Sequence, residues 1–299
     1  MIKLDSHRIL ILGSTGRLGK VITKQLKDFG LNVVTHGYSK AADYSVDASV
    51  AREMTQLLDK VSPTKIVNLI ALTNVDQCEI NPLLSRRINI GPCESIKEYV
   101  LSSQKKVGVV HLSTDHMYGG DGPHVEKIAR PVNQYGADKL EAESQIQECN
   151  GAVIRTNFFG LGQNSESPTF SDWIYEALST GKSIGVHSNV QFTPLSLLSL
   201  VEEITFVLSE SLSGVFNIGS STGLTKYRFA TKFAEALGMP DDCIQKKPYI
   251  GEQIARPLDM RMDSTHYQMV SSRLLPTLEA EIEKEGQRYV EHFKSNNRN

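Results

Sequence analysis

Tyr135 and Lys139 stand four residues apart in the run Tyr135-Gly-Ala-Asp-Lys139, a spacing that brings two side chains to one face of a helix. Chemically the pair suits proton exchange with a carbonyl or an alcohol. A free tyrosine, with a pKa of about 10, is too weak an acid to serve well at neutral pH. A nearby ammonium favours the phenolate and lowers that value, so the phenol can give or take the proton of a carbonyl/alcohol pair. The same lysine is long enough to hydrogen-bond a ribose hydroxyl. On its own the pattern also fits an ordinary amphipathic surface helix. The discriminating feature lies upstream, where the valine-rich run 106–113 ends in Ser113-Thr114-Asp115. A hydroxyl at a strand end, here Thr114, can hold a substrate oxygen beside the tyrosine.

A second chemical feature is Gly13-Ser-Thr-Gly16-Arg-Leu-Gly19. It follows an apolar run and opens a helical pattern. Glycines there let the backbone turn tightly and approach a pyrophosphate, whose charge sits at the positive end of the helix. Gly13, Gly16, Arg17, Leu18 and Gly19 are therefore candidate dinucleotide contacts. An acid that binds the ribose is usual at the end of the second strand; residues 36–40 are His-Gly-Tyr-Ser-Lys instead. With no acid to repel a 2′-phosphate and Lys40 to attract one, the pattern leans toward NADPH over NADH. Asp47 fits two readings, a hydrogen bond to the adenine amine or the N-cap of the helix that follows.

These residues require a particular scaffold. Short β-branched runs at 8–12, 31–36, 65–69, 106–113 and 152–155 alternate with helical patterns at 18–29, 49–60, 82–103 and 133–149. Strands alternating with helices predict an α/β fold, a Rossmann-type doubly wound parallel sheet. Ligands then bind beyond the carboxyl ends of the strands. After residue 156 the pattern changes to a loop at 160–168, helices at 170–180, 197–209, 225–237 and 278–293, and a short strand at 214–218. The expected division is a dinucleotide-binding domain over 1–156 and a smaller C-terminal substrate lobe over 157–299, interleaved with the first rather than folding alone.

Composition narrows the class. The chain has 299 residues, 40% hydrophobic and 22% charged, with 32 basic and 34 acidic residues and a net charge of −2. That length can bury a sizeable core. No basic-aromatic stripe points to nucleic acid, and no apolar run reaches membrane length. Cys78, Cys93, Cys149 and Cys243 form no CxxC pair and match no zinc or disulfide framework, so a cytoplasmic protein without a metal is expected. The acidic run 279–285 reads as a solvated helix face opposite Leu278 and Ile282.

Taken together, these motifs resemble the extended short-chain dehydrogenase/reductases, and among them the dTDP-4-dehydrorhamnose reductase family, over nearly the whole length. Beside the glycine turn, Asn68-Leu-Ile-Ala-Leu-Thr-Asn-Val-Asp-Gln-Cys-Glu79 resembles the family's NAAAxTxVDxxE, and Ile88-Asn89 its VN. Ser113-Thr-Asp-His-Met-Tyr-Gly-Gly120 resembles STDxVFDG, Tyr135 to Glu143 matches YGxxKLxxE, Arg155-Thr-Asn-Phe-Phe-Gly160 resembles RTSWVYG, and Arg256-Pro257 resembles the late RP motif. The resemblance implies Thr114, Tyr135 and Lys139 as catalytic residues. It places Gly16, Arg17 and Leu18 at the pyrophosphate and Ile70, Ala71, Leu72 and Ser113 around the cofactor. Thr73, Thr114, Asp115, Phe158 and Arg256 fall on the substrate side, with Arg256 a chemically apt diphosphate clamp. The implied activity is reduction of a nucleotide-activated keto sugar by NADPH or NADH, with a homodimer as the superfamily's common assembly.

Departures from the family pattern mark the alternatives. His116 stands where the family has an aromatic and where sugar-nucleotide dehydratases resemble STDE, which counts against dehydration. The NAAA motif is NLIA here, and the substrate-lobe PT motif survives loosely as Gln191-Phe-Thr-Pro194. An epimerase also uses a tyrosine, a lysine and a bound nicotinamide. The regulatory subunit of methionine adenosyltransferase resembles the same family and gives a non-catalytic alternative.

Overall fold

The computed structural model describes residues 4–38, 41–161, 168–251 and 253–296. Lys40, read above as a phosphate contact, lies outside them, as do residues 162–167 of the loop expected at 160–168.

The chain forms β1 (Arg8–Leu12), α1 (Arg17–Asp28), β2 (Asn32–His36), α2 (Ala51–Val61), β3 (Lys65–Asn68), α3 (Val75–Ile80), α4 (Pro82–Asn89), α5 (Gly91–Ser102), β4 (Gly108–Thr114), α6 (Gln134–Glu148) and β5 (Ala152–Thr156). It continues through β6 (Phe158–Phe159), α7 (Phe170–Thr180), β7 (Ile184–His187), β8 (Gln191–Phe192), β9 (Leu195–Ser196), α8 (Leu197–Glu210) and β10 (Gly214–Asn217). The last elements are β11 (Leu224–Thr225), α9 (Lys226–Leu237), β12 (Ile244–Lys247), β13 (Asp259–Met260), α10 (Thr265–Ser271) and α11 (Leu278–Asn296). Two compact units result, one of residues 1–117, 129–155 and 201–216, the other of 118–128, 156–200 and 217–299. The chain thus returns to the first unit after residue 200, because α8 leads into the strand that completes its sheet.

That sheet has six strands in the order β10-β5-β4-β3-β1-β2. β2, β1, β3 and β4 pair in parallel, in register Ile9 with Val33, Ile9 with Lys65, and Lys65 with Gly108. Ile9, Leu10, Ile11 and Leu12 are all fully buried, the continuous apolar run that a parallel sheet covered on both faces requires. Strand order reverses between β1 and β3, so the glycine turn after β1 opens at the switch point.

The single helix expected over 82–103 is two helices, α4 and α5. Pro92 in the first turn of α5 has no N–H and its ring clashes with a carbonyl one turn back. α3, which no periodicity announced, starts at Asn74, whose Oδ1 accepts from Gln77 N–H at 3.0 Å. Asn81 does the same for α4 from Leu84 N–H at 3.1 Å, with proline in the first turn.

α6, the helix of Tyr135 and Lys139, is anchored along its length. At its start, Asn133 Oδ1 accepts from Gly136 N–H at 2.9 Å, and Glu79 Oε1 accepts from Gln134 N–H at 2.6 Å. A carboxylate there also complements the helix dipole. Midway, Ser85 of α4 donates to Asp138 at 2.5 Å. Two turns from Tyr135, the fully buried Glu143 meets Arg155 of β5 at 2.6 Å and accepts from Ser113 Oγ of β4 at 2.5 Å.

The second unit packs Phe159, Phe192, Phe229, Phe233 and Tyr289 into one core. Its α11 departs from the solvated acidic face expected at 279–285, since Glu281 and Glu285 are buried. Glu281 accepts from Ser196 N–H at 2.6 Å and Ser199 Oγ at 2.8 Å, so its charge sits at the start of α8. Glu285 accepts from Leu161 N–H at 2.7 Å and pairs with Arg288 at 2.7 Å. Among the described residues no helix is long and apolar enough to cross a membrane, and no group of three or more His, Cys, Asp or Glu could hold a metal ion.

Removing one partner of a buried ion pair leaves an uncompensated charge, at a cost of about 3–5 kcal/mol. Arg155→Leu is therefore expected to lower stability to urea by about that amount; a loss below about 1 kcal/mol, the range of an exposed pair, would contradict the anchoring role of Glu143.

Candidate active site

The glycine turn works through three different constraints. Gly13 has φ +79°, and a Cβ on it would lie 3.2 Å from the Leu69 carbonyl carbon. A Cβ on Gly19 would lie 2.2 Å from the Gly13 oxygen, so Gly19 lets α1 sit against the turn. Gly16 differs. It is the N-cap of α1, supplies no side-chain cap, and a Cβ on it would touch only the Gly13 oxygen at 3.3 Å. The protein leaves that side of Gly16 open, which is what close approach by a phosphate requires.

Beside this turn lies a cleft of about 450 Å³ lined by Gly13, Gly16, Asp47, Ile70 and Ala71 among the expected residues, by His36 and Tyr38 of the run after the second strand, and by Arg87, which no motif marked. His36 Nε2 donates to the Val46 carbonyl at 3.0 Å. Its buried Nδ1 has no hydrogen-bond partner, and burial holds the ring below the ordinary imidazole pKa. His36 thus presents a neutral acceptor at the end of β2, where a ribose-binding acid is usual. Asp47 is not the N-cap of α2; that position is Val50. Its Oδ1 accepts from Ser49 N–H at 3.0 Å and Ser49 Oγ at 2.6 Å, which holds the carboxyl below its ordinary pKa. The floor of the cleft is pinned: Asn68 Oδ1 accepts from Ile70 N–H at 3.1 Å, and Asn89 Oδ1 from Leu72 N–H at 2.9 Å. An open Gly16, an unpartnered buried acceptor and an exposed arginine together fit a dinucleotide.

The expected catalytic side chains gather at the carboxyl end of β4. Thr114 ends the strand; its hydroxyl lies 3.4 Å from Asp115 Oδ1 and accepts from His116 N–H at 3.2 Å, and it acts on the Tyr135 phenol. Tyr135 is 7% exposed, with the His116 ring edge-on at 5.7 Å between centroids. Lys139, 1% exposed, reaches Leu112 O at 2.7 Å and His111 Nε2 at 2.9 Å. Burial pushes the Tyr135 phenol up, the Thr114 hydroxyl opposes it and the Asp115 charge adds to it. The Lys139 nitrogen is turned to the strand backbone and His111. Burial lowers Lys139 itself to about 8.

The remaining expected residues are distributed. Arg17, Leu18 and Gly19 form the first turn of α1. Ser113 commits its hydroxyl to Glu143 and is not one of the cleft residues. Asp115 is buried beside Thr114, 3.4 Å from its hydroxyl, whereas Thr73 is exposed. Phe158 of β6 and Arg256 are half-buried in the second unit.

Over residues 7–290 the chain matches the model of a family described as the RmlD substrate binding domain. A probable low-salt glycan biosynthesis reductase, Agl14, of Haloferax volcanii is 24% identical over 286 residues, covering 91% of this chain and 95% of that protein. Methionine adenosyltransferase 2 subunit beta of Rattus norvegicus is 24% identical over 279 residues, covering 88% and 82%. The crystal structure of dTDP-4-dehydrorhamnose reductase from Bacillus anthracis in complex with NADP superposes with a TM-score of 0.83 at 22% identity, covering 93% of this chain and 98% of that one. At that identity the likeness is one of fold.

The glycine geometry separates folding from binding. Gly16→Val is expected to keep the wild-type melting temperature within a few degrees while weakening NADPH binding, followed by nicotinamide fluorescence, about tenfold or more. Gly19→Ala is expected to cost stability, roughly 1–3 kcal/mol for overpacking. Unchanged NADPH affinity in Gly16→Val would refute the open-face reading.

Proposed function

The chain belongs to the RmlD substrate-binding-domain family, and from that premise we propose that it is an NAD(P)H-dependent reductase of a keto sugar carried on a nucleoside diphosphate. The observation that supports this most is the position of Thr114 at the end of β4, with the buried Tyr135 and Lys139 one turn apart on α6. When bound, the nicotinamide supplies hydride to the carbonyl carbon. Thr114 orients the carbonyl oxygen, and Tyr135 gives that oxygen its proton. Burial raises the Tyr135 phenol, so the proposed transfer relies on the bound cofactor and substrate, and on the cation of Lys139, to ease loss of its proton. Lys139 would bind the nicotinamide ribose.

Gly13, Gly16, Arg17, Leu18 and Gly19 would hold the pyrophosphate, and Asp47, Ile70, Ala71 and Leu72 the adenosine and nicotinamide sides. The lack of an acid in the sequence of residues 36–40 and the Arg87 cation support NADPH over NADH; the nearby Asp43 and Asp47 are engaged by Thr35 and Ser49. On the substrate side we assign Thr73, Asp115, Phe158 and Arg256, with the Arg256 fork suited to a diphosphate. A second reading, a non-catalytic dinucleotide-binding subunit, is supported by the similarity to methionine adenosyltransferase 2 subunit beta.

NADPH oxidation on adding a 4-keto sugar nucleotide separates the two readings, and binding without turnover across a panel of such sugars would favour the subunit. Tyr135→Phe is expected to lower turnover by roughly a hundred- to ten-thousand-fold, the usual contribution of general acid catalysis, with NADPH affinity nearly unchanged. Wild-type turnover in that variant would sink the tyrosine assignment.

A further inference from the structure

A chain of buried polar side chains runs from α6 through α4 to the segment after β3, and the proposed reaction does not use it directly. Asp138 and Ser85 are fully buried, and Asn89 is 1% exposed. Asp138 fills a variable position of YGxxKLxxE, and Ser85 belongs to no motif. Ser85 Oγ is 2.5 Å from Asp138 Oδ2, and Gln134 Nε2 is 2.7 Å from Asp138 Oδ1. Asn89 Nδ2 is 3.3 Å from Ser85 Oγ, and Asn89 Oδ1 is 2.9 Å from the Leu72 nitrogen. The same Nδ2 lies 3.4 Å from the Leu72 oxygen, to which Cys78 Sγ also donates at 3.4 Å. Asn89 therefore grips Leu72 at both its N–H and its carbonyl.

The direction of these bonds is set at the Asp138 end. A carboxylate only accepts, whereas a hydroxyl has one hydrogen to give and lone pairs to accept with. Asp138 takes the hydroxyl hydrogen of Ser85. What Ser85 turns to Asn89 is then a lone pair, and an amide meets a lone pair only with its NH2. That leaves the Asn89 oxygen for the Leu72 N–H. Were the Ser85 hydrogen free to turn to Asn89, the amide could reverse, and its NH2 would oppose the Leu72 N–H, donor against donor. We infer that Asp138, acting through Ser85, fixes which way the Asn89 amide faces and so holds the Leu72 backbone. Asp138 and Ser85 are thereby positioning residues for the segment 70–72, on which the cofactor would rest.

The surroundings agree. The groups that face the Asp138 carboxylate are donors: besides Ser85 and Gln134, Arg86 Nη1 stands 3.7 Å from Oδ1, while the same guanidinium forks onto Glu141 at 2.7 Å. A buried carboxylate is tolerated only where its oxygens are satisfied in this way. Two residues before Leu72, the Ile70 N–H is held by Asn68 at 3.1 Å. The segment thus has two ties, one inside the relay and one outside it. The role given to the cofactor rests on the proposed reductase reading; the direction of the relay does not.

The test is amide hydrogen exchange followed by NMR on the full chain, which reports opening residue by residue. In the wild type the Leu72 amide is expected to be protected; an unprotected Leu72 would overturn the inference. Ser85→Ala is expected to speed exchange at Leu72 relative to Ile70 by about tenfold or more. A general loss of stability speeds both amides alike, so an unchanged ratio would also overturn it. Asp138→Leu is expected to change the ratio equally, and to add nothing in the Ser85→Ala background, since both cut one relay; additive effects would show that Asp138 does not act through Ser85. Ser85→Thr, which keeps the hydroxyl, is expected to keep the wild-type ratio. If Ser85→Ala does not fold, Asp138→Leu and the wild-type protection decide. NADPH affinity, read by nicotinamide fluorescence, is expected to fall about tenfold in Ser85→Ala; wild-type affinity beside a changed ratio would refute the positioning role. If the wild-type chain binds no NADPH, the cofactor reading fails while the exchange ratio still judges the relay.

Discussion

A carboxylate cut off from water must find a partner charge or give up its own. Glu143, fully buried, finds Arg155 on β5 and Ser113 on β4, and in doing so fixes α6 across both strands. Tyr135 and Lys139 lie on that helix. Their positions relative to the end of β4 follow from where Glu143 is tied, with Glu79 and Asn133 setting the start of the helix. Sheet, helix and candidate site are thus held in one register.

Much of this was legible in the sequence because the signals were local. Continuous apolar runs announced β1, β3, β4 and β5, and strand–glycine–helix spacing announced the switch point. Tyr135, Lys139 and Thr114 were marked by residue type and spacing, and the structure brings them together. What stayed hidden was set by tertiary contact. α3 is short and depends on the Asn74 cap; the two-residue strands of the second unit have no period to read. Glu281 and Glu285 looked solvated, since periodicity cannot show that other segments bring backbone N–H groups to them. Arg87 belongs to no motif and meets the cleft only once the sheet is assembled.

Proximity of a lysine to a tyrosine in sequence suggests that its charge eases phenol ionisation. In the fold the phenol is buried and held protonated, and the lysine faces His111 and a backbone carbonyl. Burial raises the phenol and lowers the lysine, so the two groups are set by their surroundings as much as by their spacing. It also makes the lysine charge a variable near neutral pH.

The most direct measurement follows the hydrogen itself. NADPH carrying deuterium at the transferable position of its nicotinamide ring, incubated with the chain and a 4-keto sugar nucleotide, is predicted to leave deuterium on the former carbonyl carbon of the sugar, detected by mass spectrometry and NMR of the product. A sugar that instead gains solvent hydrogen at a neighbouring carbon, or is returned unchanged with the cofactor intact, would contradict the account.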